Sequence, residues 1–230
     1  MTEGRVLVVA LIAGVLLLPA LSDAATTERV RLVAADQRAA RASVIVRSDL
    51  AAQSGWQGGI SGGATFANGK SISQQRCGTH TPKLSTDVLT GGAASAFNSQ
   101  NAETINSTVF VLQNAAMAQG HWEQIAAPGY VVCELRSVPT QYKGMVLESI
   151  STLPIPVGSR SYAARAILGL KGHLKSERIA EDVVYVGEGR TDAVVINSYL
   201  LLNNVQLKTE LTKERHLTAL MLKRATAHGA

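Results

Sequence analysis

Aromatic residues and runs of like charge are scarce in this 230-residue chain. Aromatic side chains make up 4% of it, and its 22 lysines and arginines are dispersed among 17 acidic residues. A nucleic-acid interface concentrates basic residues and interleaves them with aromatic rings that stack on bases. We therefore predict no nucleic-acid partner. The net charge of +5 is typical of an ordinary basic surface and is compatible with weak attraction to anionic lipid headgroups or wall polymers.

Histidine is also scarce, and this limits metal chemistry. The five histidines stand at positions 80, 121, 173, 216 and 228. No two of them have the i,i+3 or i,i+4 spacing that places two ligands on one side of a helix. The two cysteines are too far apart for a CxxC redox centre. We predict no metal site and no cofactor.

Cys77 and Cys133 are the only cysteines of the chain. An isolated pair in an exported protein usually forms one disulfide. Such a bond would close the long loop between the two positions and would stabilise the fold by about 4 kcal/mol in the chain-entropy model. We predict that this disulfide forms.

The first 24 residues are predicted to be a secretory signal peptide. Arg5 precedes the apolar run VLVVALIAGVLLL at 6–18, and small residues follow it; this order is typical of such peptides. A membrane anchor is the alternative, but spanning a bilayer takes roughly 20 apolar residues and this run is shorter. We predict cleavage after Ala24 or Ala25, a single domain from 25 to 230, an extracytoplasmic location and no stable membrane anchor after cleavage.

Two motifs suggest catalysis, and both lack the flanking elements that they need. Residues 59–63 match G-x-S-x-G with Ser61 as the nucleophile, but that elbow requires a buried strand before it and a helix after it. Residues 64–71 loosely match a phosphate-binding loop, which also links a strand to a helix. Glycine-rich turns explain both stretches, so we predict no catalytic residue. A secreted serine hydrolase that uses Ser61 remains the alternative.

Apolar residues at helical spacing predict three helices. The first covers about fifteen residues around 32–46, the second begins after Asn114 and ends at 128–129, and the third opens at 203–204. Asn114 suits the start of a helix because its side chain accepts a hydrogen bond from a free N–H group.

Alternating apolar residues predict the strands. One strand passes through 94–97 and another through 105–112, and from 142 onward the period of two continues through four consecutive antiparallel strands. The last two form a hairpin over 179–202 around the turn GEGR at 187–190, since glycine reaches a positive φ without a steric clash. The final strand is apolar on both sides, so it is predicted to lie centrally in the sheet.

The predicted fold class is therefore α+β: an antiparallel sheet with a C-terminal four-strand meander, flanked by an N-terminal, a middle and a C-terminal helix. Two groups of charged residues are predicted to be solvated. Glu181 and Asp182 are interpreted as turn residues before a strand, and Glu210, Lys213 and Glu214 as the solvated side of the last helix.

The stretch 107–133 combines an apolar strand (TVFVL), an alanine-rich helix with Trp122, and then Cys133. With the predicted signal peptide and the later meander, it resembles the extracellular sensor-domain family of actinobacterial Ser/Thr kinases and their free-standing secreted relatives. The resemblance implies a sheet flanked by helices, a cleft suspected of binding a ligand, and no catalytic residues. The chain departs from the family in having two cysteines where members often have four. It also lacks a kinase domain, so signalling would require a separate partner.

The function predicted from these observations is a non-enzymatic binding or sensor-like domain of the cell envelope. Its partner would be a small molecule, an envelope component or a protein; a purely structural envelope protein is a further alternative. If one sheet face is incompletely covered, Arg165, Asn197 and Tyr199 form a candidate ligand cleft, in which Arg165 pairs with a carboxylate or phosphate. Otherwise Arg165 lies on a solvated face and Tyr199 packs under a helix.

Overall fold

The computed structural model of the chain describes residues 29–50, 55–61, 77–141, 144–172 and 176–229. The predicted signal peptide, its cleavage site and the motif at 64–71 lie outside these residues.

Within the described residues the chain forms eight strands and four α-helices. In chain order they are β1 (Arg29–Val30), α1 (Ala34–Ser43), β2 (Gln57–Ser61), β3 (Val88–Asn98), β4 (Glu103–Leu112), α2 (Ala115–Ile125), α3 (Pro128–Gln141), β5 (Met145–Thr152), β6 (Arg160–Leu170), β7 (Arg178–Glu188), β8 (Thr191–Leu201) and α4 (Asn204–Ala227). Short 3-10 turns cover Arg47–Asp49 and Gly78–His80.

The strands of the described chain form one sheet in the order β1-β3-β4-β8-β7-β6-β5, and β2 also pairs with β3. Every pair is antiparallel except the short β1–β3 pair. From β5 to β8 each strand pairs with the next one in the chain, which confirms the predicted α+β fold with its C-terminal meander. β8 lies between β4 and β7, in the central position that its two apolar sides predicted.

The β7–β8 hairpin closes at Gly189 and Arg190, within the predicted turn. Glu188 lies opposite Thr191, and Gly189 has a φ of +53°, a conformation that favours glycine because it has no Cβ. Arg190 Nη2 donates to Asp36 Oδ1 of α1 at 2.8 Å. The tip of the hairpin is thereby tied to the first helix.

Helices cover both faces of the sheet. α1 and α4 pack against one face, called here the α4 face, and α2 and α3 against the other, the α3 face. Neighbouring residues of β7 alternate between the two faces: Val184 packs with Val195 and Met221, whereas Val183 packs with Leu135. The predicted covering by N-terminal, middle and C-terminal helices is confirmed.

The middle helical segment differs from the prediction, since it consists of two helices. Asn114 caps α2 as predicted, with Oδ1 accepting from the N–H of Met117 at 2.8 Å, and α2 ends at Ile125. Pro128 was expected only to end that helix, but it is the first residue of α3. A helix tolerates proline there because the N–H of its first residue has no partner within the helix. Cys133 therefore lies inside a second helix.

The predicted disulfide between Cys77 and Cys133 is confirmed. Their Cα atoms are 5.9 Å apart, and the bond closes a loop of 56 residues. It ties α3 to the 3-10 turn Gly78–His80, where the two segments are closely packed: a Cβ added to Gly129 would meet the His80 ring at 2.5 Å. The bond is compatible with an oxidising compartment.

The acidic residues that were predicted to be solvated are buried instead. Glu181 and Asp182 lie inside β7 and are 7% and 0% exposed. Glu210 and Glu214 lie on the inner side of α4 and are 8% and 0% exposed. Steps of four and three residues lead from Glu210 through Glu214 to the buried Leu217, so all three share one side of the helix.

The remaining differences between the prediction and the structure concern the lengths of a helix and a strand. α1 has ten residues rather than about fifteen, because Val44 leaves the helical conformation with a ψ of 158°. The strand predicted at 94–97 lies in the C-terminal half of the eleven-residue β3. None of the helices in the described ranges is long and apolar enough to cross a membrane.

Candidate functional site

The three residues of the predicted cleft lie together on the α4 face, beneath α4. Arg165, Asp182 and Asn197 are directly opposite one another across β6, β7 and β8, and Tyr199 lies two residues further along β8 on the same side. Arg165, Asn197 and Tyr199 are only 6%, 0% and 1% exposed. The structure thus brings the predicted residues together in the interior, and their role in ligand binding stays a prediction.

Asp182 is the partner that occupies Arg165. Arg165 Nε donates to Asp182 Oδ1 and Nη2 donates to Oδ2, both at 2.5 Å, which is the two-bond geometry that gives arginine–carboxylate pairs their strength. The Tyr199 hydroxyl donates to Asp182 Oδ2 at 3.2 Å. Burial alone would lower the pKa of Arg165, but the bonds and the charge of Asp182 outweigh it and raise that pKa.

α4 adds two further carboxyl groups to this cluster. Asn197 Nδ2 donates to Glu214 Oε1 at 2.9 Å and to Glu210 Oε2 at 3.2 Å. Burial, and then the negative charge of Asp182, raise the pKa of Glu214 well above its ordinary value. Glu214 Oε2 is buried and accepts no hydrogen bond from the described residues. The raised pKa favours the protonated, neutral form of Glu214.

Lys213 stabilises the edge of the same cluster. Its ammonium group donates to Glu103 of β4 and to Glu210. Burial raises the pKa of Glu103 to about 7, and the charge of Glu210 adds to this while Lys213 opposes it. The contact joins the first half of α4 to the strand on the far side of β8.

The whole cluster contains more acid than base. Its four carboxyl groups and two cations are Glu103, Asp182, Glu210, Glu214, Arg165 and Lys213. Protons on the groups with raised pKa values balance the excess. In the part of the chain that the structure describes, no group of three or more His, Cys, Asp or Glu side chains is placed to hold a metal ion. The Asn197–Glu214 and Lys213–Glu103 contacts of the cluster join α4 to β8 and β4.

The α3 face contains a second buried acidic group, formed without a cation. Tyr185 donates from its hydroxyl to Glu134 Oε2 at 2.7 Å, and Ser198 Oγ donates to Glu181 Oε2 at 3.3 Å. Burial raises the pKa of Glu181 to about 7, the Ser198 bond opposes the rise, and the charges of Glu134 and Asp182 add to it. Burial likewise raises the pKa of Glu134.

A third polar group closes the hairpin end of the α3 face. His121 Nδ1 and Asp192 Oδ2 are 2.8 Å apart, and both side chains are 0% exposed. Arg160 Nη2 donates to Asp192 Oδ1 at 2.9 Å, and the His121 ring packs against Phe110 at a centroid distance of 5.3 Å. The His–Asp pair is sealed from solvent, so it anchors α2 on β8 and offers no surface to a substrate.

An open cavity lies beside the end of α1, and we call it the Trp56 cavity. It has a volume of about 590 Å³ and is lined by Arg47, Ser48, Leu50, Gly55 and Trp56. Leu50 and Trp56 are buried and belong to the apolar core of the α4 face. Arg47 and Ser48 are exposed. The cavity thus combines an apolar floor with two accessible polar side chains.

Fixed contacts hold the rim of the Trp56 cavity. An Arg47 guanidinium nitrogen donates to the Trp56 carbonyl oxygen. Asp49, in the same 3-10 turn, accepts from the Val46 N–H at 2.9 Å and from two Arg224 nitrogens at 2.6 and 2.7 Å. Burial alone would raise the pKa of Asp49, but the bonds from Arg224 and Val46 outweigh it and lower that pKa. The turn that carries Arg47 and Ser48 is therefore anchored to the C-terminal half of α4.

Ser61, the nucleophile of the alternative hydrolase, is the last residue of β2. It pairs with Ala94 of β3, so its backbone belongs to an edge strand. A hydrolase elbow instead needs its serine at a tight turn between a strand and a helix. Residues 62–76, which follow it, lie outside the described residues. The hydrolase stays a prediction that the geometry of β2 does not support.

Sequence reasoning missed the Trp56 cavity and the partners of Arg165. The cavity lies between a 3-10 turn and the residues that begin β2, and no periodic sequence pattern predicts that these two segments are neighbours. The helix carboxylates were detectable, because Glu210 and Glu214 continue the spacing of Leu217 along one side of α4.

Comparison with known proteins leaves the chain without a family. No family model matches it, and no curated protein matches it. Among solved structures it is similar to the X-ray structure of an uncharacterized protein, the Rv0999 ortholog from Mycobacterium smegmatis, with 10% sequence identity and a TM-score of 0.30. The match covers 56% of this chain and 64%, just under two thirds, of that chain. Similarity at this TM-score carries no argument about fold or function.

Proposed function

We propose that this chain is an exported, non-enzymatic binding domain of the cell envelope and that the Trp56 cavity is its ligand site. The observation that carries the proposal is the cavity itself. Its volume of about 590 Å³ falls within the range of small-molecule sites, roughly 300–1,000 Å³, which combine an apolar lining with a few polar groups. Leu50 and Trp56 supply that lining, and Arg47 and Ser48 supply the polar groups.

The Trp56 cavity suits this role better than the cluster around Arg165. The Arg165 guanidinium already makes two 2.5 Å bonds to Asp182, and α4 covers it. A ligand at Arg165 would have to displace the helix and leave Asp182 buried without its cation, which costs several kcal/mol. A ligand in the Trp56 cavity would meet the exposed side chains of Arg47 and Ser48 without breaking a buried ion pair.

The lining selects a class of ligand. An apolar body would pack on Leu50 and Trp56, and an acidic group would pair with Arg47. The Arg47 guanidinium has five N–H donors in a planar fork that matches a carboxylate or phosphate, and it makes no ion pair with another described residue. The ligand class is therefore a small molecule with an apolar body and a carboxylate, sulfonate or phosphate group.

Two sequence-based expectations support the same role. The predicted signal peptide would deliver the domain to the envelope, and the resemblance of 107–133 to extracellular sensor domains implies a binding role without catalytic residues. The Cys77–Cys133 disulfide is compatible with that compartment. A binding domain of this kind would pass its signal to a separate protein.

The test is a thermal-shift measurement with 8-anilinonaphthalene-1-sulfonate, which has an apolar ring system and a sulfonate, and with fractions of a native envelope extract. Wild-type protein is expected to melt at a higher temperature with the probe and with at least one fraction, since a ligand that binds only the folded state stabilises it. Arg47→Ala removes the acid partner, and Ser48→Trp fills the cavity from an exposed position. Both variants are expected to lose the shift.

Arg136→Ala is the matched control, because Arg136 is an exposed arginine of α3, on the opposite face of the sheet. It should keep the full shift. The proposal is rejected if wild-type protein shows no shift with the probe or any fraction, or if Ser48→Trp shifts as much as wild type. A structural or partner-protein role would then be preferred.

A further inference from the structure

The start of the described chain is its most basic part. Residues 29–47 contain five arginines and a single carboxylate, Asp36. That carboxylate is bonded to Arg190, and the next one in the chain, Asp49, is bonded to Arg224. Asp36 and Asp49 are thus neutralised by arginines from other elements, and the five local arginines outnumber the remaining nearby acid, Glu28.

Three of these arginines are exposed and lie within eleven residues of one another in the chain; we call them the arginine stripe: Arg31, Arg38 and Arg41. α1 buries Asp36, Ala39, Ala40 and Ser43, whereas Arg38 and Arg41 are exposed and lie three residues apart on its outer side. Arg31 is exposed just before the helix. None of the three forms an ion pair with the described residues.

Two exposed apolar side chains stand next to this charge. Leu32 and Val33, between Arg31 and the first residue of α1, are 41% and 43% exposed. The other helical layer has no comparable surface: on α2 and α3 the exposed charged residues are one acid, Glu123, and one base, Arg136. Exposed apolar residues also stand near a cation at the start of α4, where Leu202 and Val205 precede the exposed Lys208. The α1 side differs in having three exposed arginines beside its apolar pair.

We propose that the arginine stripe, with Leu32 and Val33, is a docking surface for an anionic phospholipid membrane. Guanidinium groups bind the phosphates of lipid headgroups, and adjacent apolar side chains enter the boundary between headgroups and acyl chains, which is how surface-bound segments attach to bilayers. A purely polar anionic polymer would offer nothing to Leu32 and Val33. The surface presents the α1 side of the domain to the membrane.

The position of the stripe in the chain agrees with this assignment. The apolar run 6–18 lies upstream, and the ten residues from 19 to 28 span at most about 35 Å when extended. While that run is in the membrane during export, the arginine stripe is within reach of the bilayer surface. After the predicted cleavage, the stripe would be the remaining attachment and would be reversible, because a basic surface alone binds weakly.

The test is co-sedimentation of the natively exported protein with vesicles of phosphatidylglycerol and phosphatidylcholine in equal amounts, and with vesicles of phosphatidylcholine alone. Mass spectrometry verifies that all variants have the same N-terminus. Residues before Arg29 then contribute equally to vesicle binding in every variant. We expect binding to the anionic vesicles that weakens with added salt. Since each arginine near such a surface contributes about fivefold in affinity, Arg38→Glu with Arg41→Glu should lower binding at least tenfold. Leu32→Ser with Val33→Ser should lower it several-fold.

The matched control reverses two exposed basic residues on the opposite side, Lys83→Glu with Arg136→Glu, which changes the net charge by the same amount. Lys83 lies beside α2, where its N–H donates to Gln124 Oε1 at 2.6 Å. The control should bind within twofold of wild type. The proposal is overturned if it loses as much binding as the α1 variant, if neutral vesicles bind equally well, or if the serine variant binds anionic vesicles like wild type. The last result would point to a polar anionic polymer.

Discussion

Glu181 and Asp182 are neighbours in β7, yet their carboxyl groups face opposite helical layers and are accommodated by different means. On the α4 face Asp182 receives two hydrogen bonds from Arg165. On the α3 face Glu181 has the Ser198 hydroxyl, and Glu134 next to it has Tyr185. Asp182 is therefore held by an ion pair, whereas Glu181 and Glu134 have hydroxyl partners and pKa values that burial raises. The ion pair of the α3 face, Arg160–Asp192, lies away from them at the hairpin end. The stability contributed by Asp182 and by Glu181 is therefore expected to respond differently to pH and to mutation.

The largest effect is expected from Arg165→Met, which removes the cation that pairs with Asp182 on the α4 face. Asp182 is then left buried without a partner beside Glu214, and losing one member of a buried pair costs about 3–5 kcal/mol of the free energy of unfolding. Urea unfolding at pH 7 measures the loss. Arg178→Met is the control, because the Arg178–Glu148 pair is exposed and such pairs contribute at most about 1 kcal/mol. Equal losses in the two variants would show that the α4 face does not depend on its ion pair.

The next effect concerns the link that holds α3 in place. Replacing Cys77 and Cys133 by alanine opens the loop of 56 residues and should cost about 4 kcal/mol, or somewhat less if the unfolded chain is compact. Urea unfolding of the double variant measures the cost. Peptide mapping of wild type without reductant should find the two cysteine peptides joined. Two freely alkylated thiols in the exported protein would contradict the disulfide.

The pH dependence of the α3 face gives the third prediction. Folded Glu181 has a pKa of about 7 and the unfolded side chain one near 4.5, so between these pH values the folded state binds more protons than the unfolded state. Stability is therefore fully present below pH 4.5 and falls as the pH rises to about 7, by on the order of 3 kcal/mol from this group. Glu181→Gln should flatten the fall.

Urea unfolding at a series of pH values from about 4 to 8 measures this fall in stability. The series covers the pH window between the unfolded and folded pKa values of Glu181. Asp36 and Asp49 have lowered pKa values, so their contributions are lost only below the ordinary aspartate range. Glu103 of the α4 face also has a pKa of about 7, so the difference between wild type and Glu181→Gln isolates the α3 face. A wild-type curve that rises across the window, or an unchanged slope in Glu181→Gln, would refute the assignment of a neutral interior.

The smallest effect compares two tyrosines that donate to carboxyl groups on opposite faces. Tyr185→Phe removes a 2.7 Å bond to Glu134, whereas Tyr199→Phe removes a 3.2 Å bond to Asp182, which keeps both bonds from Arg165. We expect losses of about 1–2 kcal/mol and less than about 1 kcal/mol, respectively. Both losses are measured by urea unfolding at pH 7. A larger loss in Tyr199→Phe than in Tyr185→Phe would mean that the tyrosine hydroxyl contributes more to stability on the α4 face.

Much of the fold was predictable because its signals are local. The meander follows from side chains that alternate with a period of two and from a glycine turn, and the disulfide follows from there being two cysteines. Pro128 misled the helix prediction, because proline both ends helices and begins them. Whether a proline ends or begins a helix depends on how the residues after it pack. After Pro128, Leu135 of α3 packs with apolar residues of β6 and β7.

The candidate sites were less accessible to prediction than the fold. Arg165, Asn197 and Tyr199 were singled out as polar groups among apolar neighbours. The structure brings them together in the interior, and their role in ligand binding stays a prediction. Their partner Asp182 is 17 residues from Arg165 in the chain, and it was interpreted as solvated. A charged residue in a strand pattern is usually at the surface, and only knowledge of a partner across the sheet reverses that expectation.

By itself the sequence determined the α+β class, the four-strand meander, the Asn114 cap of α2 and the pairing of Cys77 with Cys133. These depend on periodicity, backbone preferences and composition, which act over a few residues or on the chain as a whole. The tertiary structure alone decided which carboxyl groups are buried, how each is neutralised, and that Arg47 and Trp56 border one cavity. The physical reason is that the energy of a polar group depends on the partners and the solvent around it, and these come from segments far apart in the chain.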